Sequence, residues 1–157
     1  MKNILFITCL FFFLCPLCHA QNDAKVFFFR NDHTIPLDGG ITNYQLYIND
    51  SLRKIHNHSF YEYTTNKSSE NYFVKLSWMD WPYNKGKFTS QITTNPGTIT
   101  FVEIRKLHRY SNKISLNKIS LKEIEEIYKH KGWFRKKLSE AGYKSVDELI
   151  KGYRVNE

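Results

Sequence analysis

Beyond residue 18 the chain has no cysteine: its three thiols, Cys9, Cys15 and Cys18, all lie in the apolar opening stretch. If that stretch is removed, disulfides, thiol nucleophiles and thiolate metal sites are excluded together. Glycine is scarce, 7 in 157 residues, and none falls in a phosphate-cradling loop. A Gly-x-Ser-x-Gly elbow, a His-Glu-x-x-His helix and a His/Asp/Ser set at a familiar spacing are also missing. Asp32 beside His33 is an isolated pair, so an enzyme is not expected and no cofactor is implied. Internal repeats and low-complexity tracts are absent as well, which leaves an ordinary globular chain to explain.

Long apolar runs are limited to one. Ile4–Leu17, after the charged start Met1-Lys2-Asn3, is about 14 residues, too short for an ordinary membrane span and suited to a secretory signal. Cys18-His19-Ala20 places small residues at the minus-three and minus-one positions, so cleavage is expected before Gln21. A lipoprotein signal needs a small residue directly before the acylated cysteine, whereas Cys15 follows Leu14 and Cys18 follows Leu17. The expectation is a secreted or periplasmic protein with no transmembrane segment after cleavage. Removing residues 1–20 leaves 137, enough for one domain to bury roughly two-thirds of its unfolded surface without disulfides.

Charge is uneven along the remainder. Residues 21–102 carry 8 basic and 7 acidic side chains, while residues 103–157 carry 14 and 8, a net +6. For an exported chain this suits an envelope polymer, an anionic lipid surface or an envelope protein rather than nucleic acid. Lysines that merely keep a surface soluble fit the same count.

From Lys25 to Ile104 aromatic or β-branched residues alternate with polar ones, interrupted by Asn, Asp, Gly and Ser clusters. The alternation predicts strands at Lys25–Arg30, Thr42–Asn49, Ser51–Ile55, Ser59–Thr64, Tyr72–Trp78, Lys87–Thr94 and Thr98–Lys106. Asp38-Gly39-Gly40, Asn49-Asp50 and Asn95-Pro96-Gly97 supply turns. The expected fold is mainly β, a small antiparallel seven-stranded β-sandwich over residues 21–110, with a barrel as the alternative. Residues 111–157 form a basic extension. Within it, Ser111–Lys118 reads as a linker or an irregular extension, and Ser120-Leu-Lys-Glu123 as a capping box with Ile119 and Ile124 as its hydrophobic staple. Leu121, Ile124, Ile127, Tyr128, Phe134, Leu138 and Ala141 then recur near one helical face, with Gly132 and Gly142 as breakers. Ser145-Val-Asp-Glu148 opens a shorter helix through about Tyr153, giving a helical hairpin or one helix plus a return piece.

Three segments are candidates for function. His56-Asn57-His58 could bracket a metal ion and so serve a small hydrolase, since i and i+2 on a strand share a face. Asn57 also lies midway between two alternating segments, where a turn belongs, and no metal ligand set is assigned. Trp78-Met-Asp-Trp81-Pro-Tyr83 could stack on sugar rings, as a carbohydrate-binding module would, or pack into the core. Lys129, Lys131, Arg135, Lys136 and Lys137 flank Trp133-Phe134, a pattern that suits an anionic contact or a solvated helix face.

Val26–Arg30, Tyr44–Asp50, Ile55–Tyr61 and Gly97–Ile104 follow one another within residues 25–106, and in that order they resemble a family of exported bacterial β-sandwich domains, often carried on lipoproteins and catalogued as a domain of unknown function. Val26-Phe-Phe-Phe-Arg30 is similar to its opening strand, Tyr44-Gln-Leu-Tyr-Ile-Asn-Asp50 to its Tyr-x-Val-Tyr-Val strand and Asn-Gly hairpin. Ile55-His-Asn-His-Ser-Phe-Tyr61 resembles its Leu-x-Asn-Gly-Ser-Tyr-Phe segment, and Gly97-Thr-Ile-Thr-Phe-Val-Glu-Ile104 its closing strand. The family's Pro-Pro-Gly-x-His turn is replaced by Thr64-Thr-Asn-Lys-Ser-Ser69, the lipobox is missing, and the tail lies outside the match. The resemblance implies a sandwich in the cell envelope, puts His58 at a turn glycine, and carries over no catalytic residue.

Overall fold

The computed structural model describes residues 23–31, 44–49, 51–56, 58–76, 88–106 and 114–156. The chain is mainly β. The strands are β1 (Ala24–Arg30), β2 (Tyr44–Ile48), β3 (Ser51–Ile55), β4 (Phe60–Thr65), β5 (Ser69–Leu76), β6 (Phe88–Thr93), β7 (Thr98–Lys106), β8 (Ile114–Ile119) and β9 (Arg154–Val155). Between β8 and β9 stand three helices: α1 (Leu121–His130), α2 (Gly132–Glu140) and α3 (Val146–Ile150). All seven predicted strands are present, within a few residues of their expected ends.

The arrangement departs from the expected antiparallel seven-stranded sandwich. One sheet, sheet A, runs β4-β1-β7-β8 with β9 also on β7; the other, sheet B, runs β3-β2-β5-β6. Within sheet A, β1 and β9 both lie parallel to β7. Ile99 pairs with Lys25 on one side and Val155 on the other. The short β9 therefore occupies the same edge of β7 as β8, filling the ladder beyond β8's end.

The physical reason for the parallel pairs is burial. Val26, Phe27, Phe28 and Phe29 all have essentially no exposed surface, and side chains on a strand alternate between faces. Val26 and Phe28 therefore join Val102, Ile104 and Ile114 in a core shared with Leu46, Ile48, Tyr72 and Val74 of sheet B. Phe27 and Phe29 point the other way, into a second core with Ile99, Phe101, Ile124, Phe134, Leu138 and Leu149. Sheet A is thus a middle layer with sheet B on one face and the helices on the other, and a sheet covered on both faces is where parallel strands occur.

The 111–157 extension is also corrected. Residues 114–118, expected within a linker or irregular extension, form a strand with Ile119 that pairs with β7 from Phe101↔Ile119 to Lys106↔Ile114, because Ile114 and Leu116 share one face and pack onto the inter-sheet core. The helical part is three helices where two were expected. Lys131, with φ −110° and ψ 101°, ends α1 and caps α2, so the break falls one residue before the expected Gly132. Gly142, at φ 94°, stops the run as expected.

Candidate functional site

The His56–His58 segment is a corner between sheets. It connects β3 of sheet B to β4 of sheet A, and His58 adopts a left-handed φ of 52°, the conformation that a turn glycine would otherwise supply. Ser59 Oγ donates to His56 O at 2.6 Å, and Arg30 N donates to Ser59 O at 3.0 Å. The turn is therefore fixed to the end of β1.

That corner meets the helical layer. The His58 ring stacks on Trp133, the second residue of α2, with centroids 5.1 Å apart and planes 19° apart. Trp133 in turn stands edge-on to Phe134 at 5.4 Å, and Phe134 is buried against Phe27 and Phe29 at 6.2 Å and 5.9 Å. The indole N–H of Trp133 is buried with no hydrogen-bond partner among the described residues. Two segments that the sequence offered as separate candidates, the histidine turn and the basic aromatic run, thus meet in the fold.

The cations around Trp133 divide by role. Residues 129–137 contain five Lys or Arg and no carboxylate. Arg135 Nη1 donates to Tyr128 O at 2.8 Å and Lys129 O at 2.6 Å, covering carbonyls that the end of α1 leaves open. Lys137 pairs with Glu140 at 2.6 Å, and His130 lies 3.1 Å from Glu126. Lys129 and Lys136 are exposed, and Lys131 is half-buried at the junction. The +6 excess is not mainly helical: residues 121–157 hold nine basic and seven acidic side chains, leaving +4 to residues 103–120.

Two polar clusters lie elsewhere. Glu70, buried between the sheets, accepts from Asn49 Nδ2 at 2.9 Å, from Tyr63 OH at 3.2 Å and from Thr65 Oγ1. Burial and the Glu70 hydrogen bond raise the Tyr63 phenol, and burial and the Glu70 charge raise that of Tyr72. On the other face of sheet A, Lys25 Nζ lies 3.3 Å from Glu62 Oε2 and donates to Tyr143 OH at 3.3 Å, while Tyr143 OH donates to Glu62 at 2.9 Å. The ammonium also sits 5.5 Å and 5.0 Å from the Tyr143 and Tyr153 ring centroids. Burial pulls Lys25 down, but the Tyr143 hydrogen bond and the Glu62 charge outweigh it and hold the group above its ordinary value. A lysine kept protonated is a clasp, and the opposite of an activated amine nucleophile. Neither cluster was legible as such in the sequence.

Among the described residues no group of three or more His, Cys, Asp or Glu is placed to hold a metal ion, and no helix is long and apolar enough to cross a membrane. Trp78, Trp81 and Tyr83 lie outside the described residues, as do residues 1–20 and Asp38-Gly39-Gly40. No family model, curated protein or solved structure matches the chain.

Proposed function

We propose that the protein is an exported, non-enzymatic β-sandwich module of the bacterial cell envelope that docks on an anionic surface. The contact is the corner where the β3–β4 turn meets the α1–α2 junction. The observation that carries this reading is the His58–Trp133 stack, which anchors a stretch of five cations without a carboxylate to the rigid end of sheet A. Of those cations, Lys129 and Lys136 are exposed at the junction and free of the capping role that occupies Arg135. The signal-like opening stretch and the resemblance of residues 25–106 to exported envelope domains support the location.

The test is sedimentation of the purified protein with vesicles of phosphatidylglycerol in phosphatidylcholine, with phosphatidylcholine alone, and with lipopolysaccharide and peptidoglycan, at low and high salt. A salt-sensitive association with an anionic fraction is expected. Exchanging Lys129 and Lys136 for glutamine should weaken it by roughly fivefold per lysine, since each basic side chain near such a surface contributes about 1 kcal/mol. Association that is unchanged in the double variant, or absent from every fraction, defeats the reading.

A further inference from the structure

β4 ends sheet A, and among the described residues nothing pairs with its other side. The direction of its backbone groups follows from one hydrogen bond. Arg30 N donates to Ser59 O, and this pair continues the antiparallel register in which Phe29 faces Phe60. Hydrogen-bonded and non-bonded pairs alternate along such a ladder. Tyr61, Tyr63 and Thr65 therefore turn their backbone groups toward β1, and Phe60, Glu62 and Thr64 turn theirs outward.

This outward row lacks the usual defences of an edge strand. Phe60-Tyr-Glu-Tyr-Thr-Thr65 contains no proline, lysine or arginine, and its register with β1 runs without a bulge. Its one charge, Glu62, is held by Lys25 and Tyr143. The edge beside it is different. Arg53 Nε of β3 donates to Tyr61 OH at 2.8 Å, placing the β3 and β4 edges on the same side, and β3 exposes Arg53 and Lys54. One edge is charged against pairing and its neighbour is open.

We infer that β4 is the surface on which two copies of this chain associate, strand against strand, about a two-fold axis normal to sheet A. Such an axis keeps each face of the sheet continuous, so only residues on the same face can oppose one another. Centring it on Tyr63 sets Glu62 of each copy opposite Thr64 of the other. Both residues direct their backbone groups outward, and each such pair exchanges two hydrogen bonds, about four in all. Tyr63 meets its own counterpart in a non-bonded pair, where side chains approach closest, and no like charges of β4 are opposed. Centring on Glu62 would oppose two carboxylates, which disfavours that register. An added peptide would use pockets beside the edge for its alternate side chains; one groove among the described residues, of about 470 Å³ and lined by Glu103, Ile119, Lys122, Glu123, Glu126 and Ile127, lies at β7, β8 and α1, across the sheet from β4. Self-pairing closes the edge and fits the isologous symmetry of most homodimers.

Sedimentation velocity of the purified protein over the micromolar range tests the inference, which is independent of the anionic contact. A concentration-dependent dimer is expected. Thr64 is exposed, and Thr64→Pro removes an outward N–H while leaving the β1 ladder intact; it should weaken the dimer at least roughly tenfold with an unchanged circular dichroism spectrum. Thr64→Glu, which faces a partner carboxylate, should also weaken it, whereas Thr64→Lys should preserve it. A protein monomeric throughout the range, a dimer indifferent to both Thr64→Pro and Thr64→Glu, or a monomer that binds an extended peptide at this edge overturns the inference.

Discussion

His58 carries two opposing contributions. Its left-handed backbone, at φ 52°, costs a residue with a Cβ on the order of 1 kcal/mol, and its stack on Trp133 returns about the same amount. His58→Gly removes both and should leave stability nearly unchanged. His58→Ala keeps the backbone cost and loses the stack, so it should destabilise by about 1 kcal/mol; urea unfolding of the two variants side by side distinguishes these outcomes. The turn itself was legible, because Asn57 sits between two alternating segments. The stack was not, since it joins a turn to a helix 75 positions further on and depends on how the helical layer sits. Glu70 was hidden for a related reason. Between Ser69 and Asn71 it looks like an ordinary solvated strand residue, and only the arrival of Asn49, Tyr63 and Thr65 makes its burial tolerable.

At the scale of elements, local chemistry was the readable part. The capping box of α1 is present: Glu123 N donates to Ser120 Oγ at 3.3 Å, and Ser120 N donates to Glu123 Oε2 at 2.8 Å. The second Ser-x-x-Glu is a variant of it. Ser145 Oγ accepts from Glu148 N at 3.2 Å, but the Glu148 carboxylate takes Lys144 N at 2.6 Å instead of the cap residue, and the helix ends at Ile150, short of the expected Tyr153. Ser120→Ala should cost about 1 kcal/mol. Hydrogen bonds from the Ser120 backbone and hydroxyl lower the Glu123 pKa, so this contribution is present above the ordinary glutamate value of 4.5 and is lost as pH falls through the lower folded value. Thermal unfolding compared at neutral pH and near pH 3 should therefore show the gap between wild type and Ser120→Ala narrowing in acid without closing, because the hydroxyl still accepts from the Glu123 N–H. β8 escaped recognition because Ser115, Asn117 and Lys118 leave only Ile114, Leu116 and Ile119 as apolar signal, and a two-residue strand such as β9 has no periodicity to detect.

For the molecule as a whole, the layering explains both a success and a failure of sequence reading. Alternation identified strands, but the unbroken run Val26–Phe29 is the mark of a strand covered on both faces, and it requires a third layer that a two-sheet expectation leaves out. The tail supplies that layer. The same packing sets the response to alkali. Lys25, Tyr63, Tyr72 and Tyr143 are all raised above their ordinary values, for Tyr143 through burial and then its hydrogen bond to Glu62. Groups raised on folding stabilise fully below their unfolded values, near 10.0 for tyrosine and 10.5 for lysine, and cease to do so as pH climbs through the folded values. Stability should thus fall above about pH 10. The part of the tyrosinate absorbance that comes from Tyr63, Tyr72 and Tyr143 should rise late and together with the loss of circular dichroism; its loss in the triple Phe variant identifies it, and an early rise of that part with the fold intact would contradict the buried clusters.

The pairing of β1 with β7 also has a temporal side. Lys25 waits for Ile99, 74 residues later, and Thr98 waits for Arg154, so the most apolar strand stays without its central neighbour until most of the chain exists. Contacts this distant in sequence slow folding. A chain built this way is kept extended for longer than one closed by hairpins, and it completes its middle layer only when Asn156 donates to both Thr93 O of sheet B and Thr100 Oγ1 of sheet A.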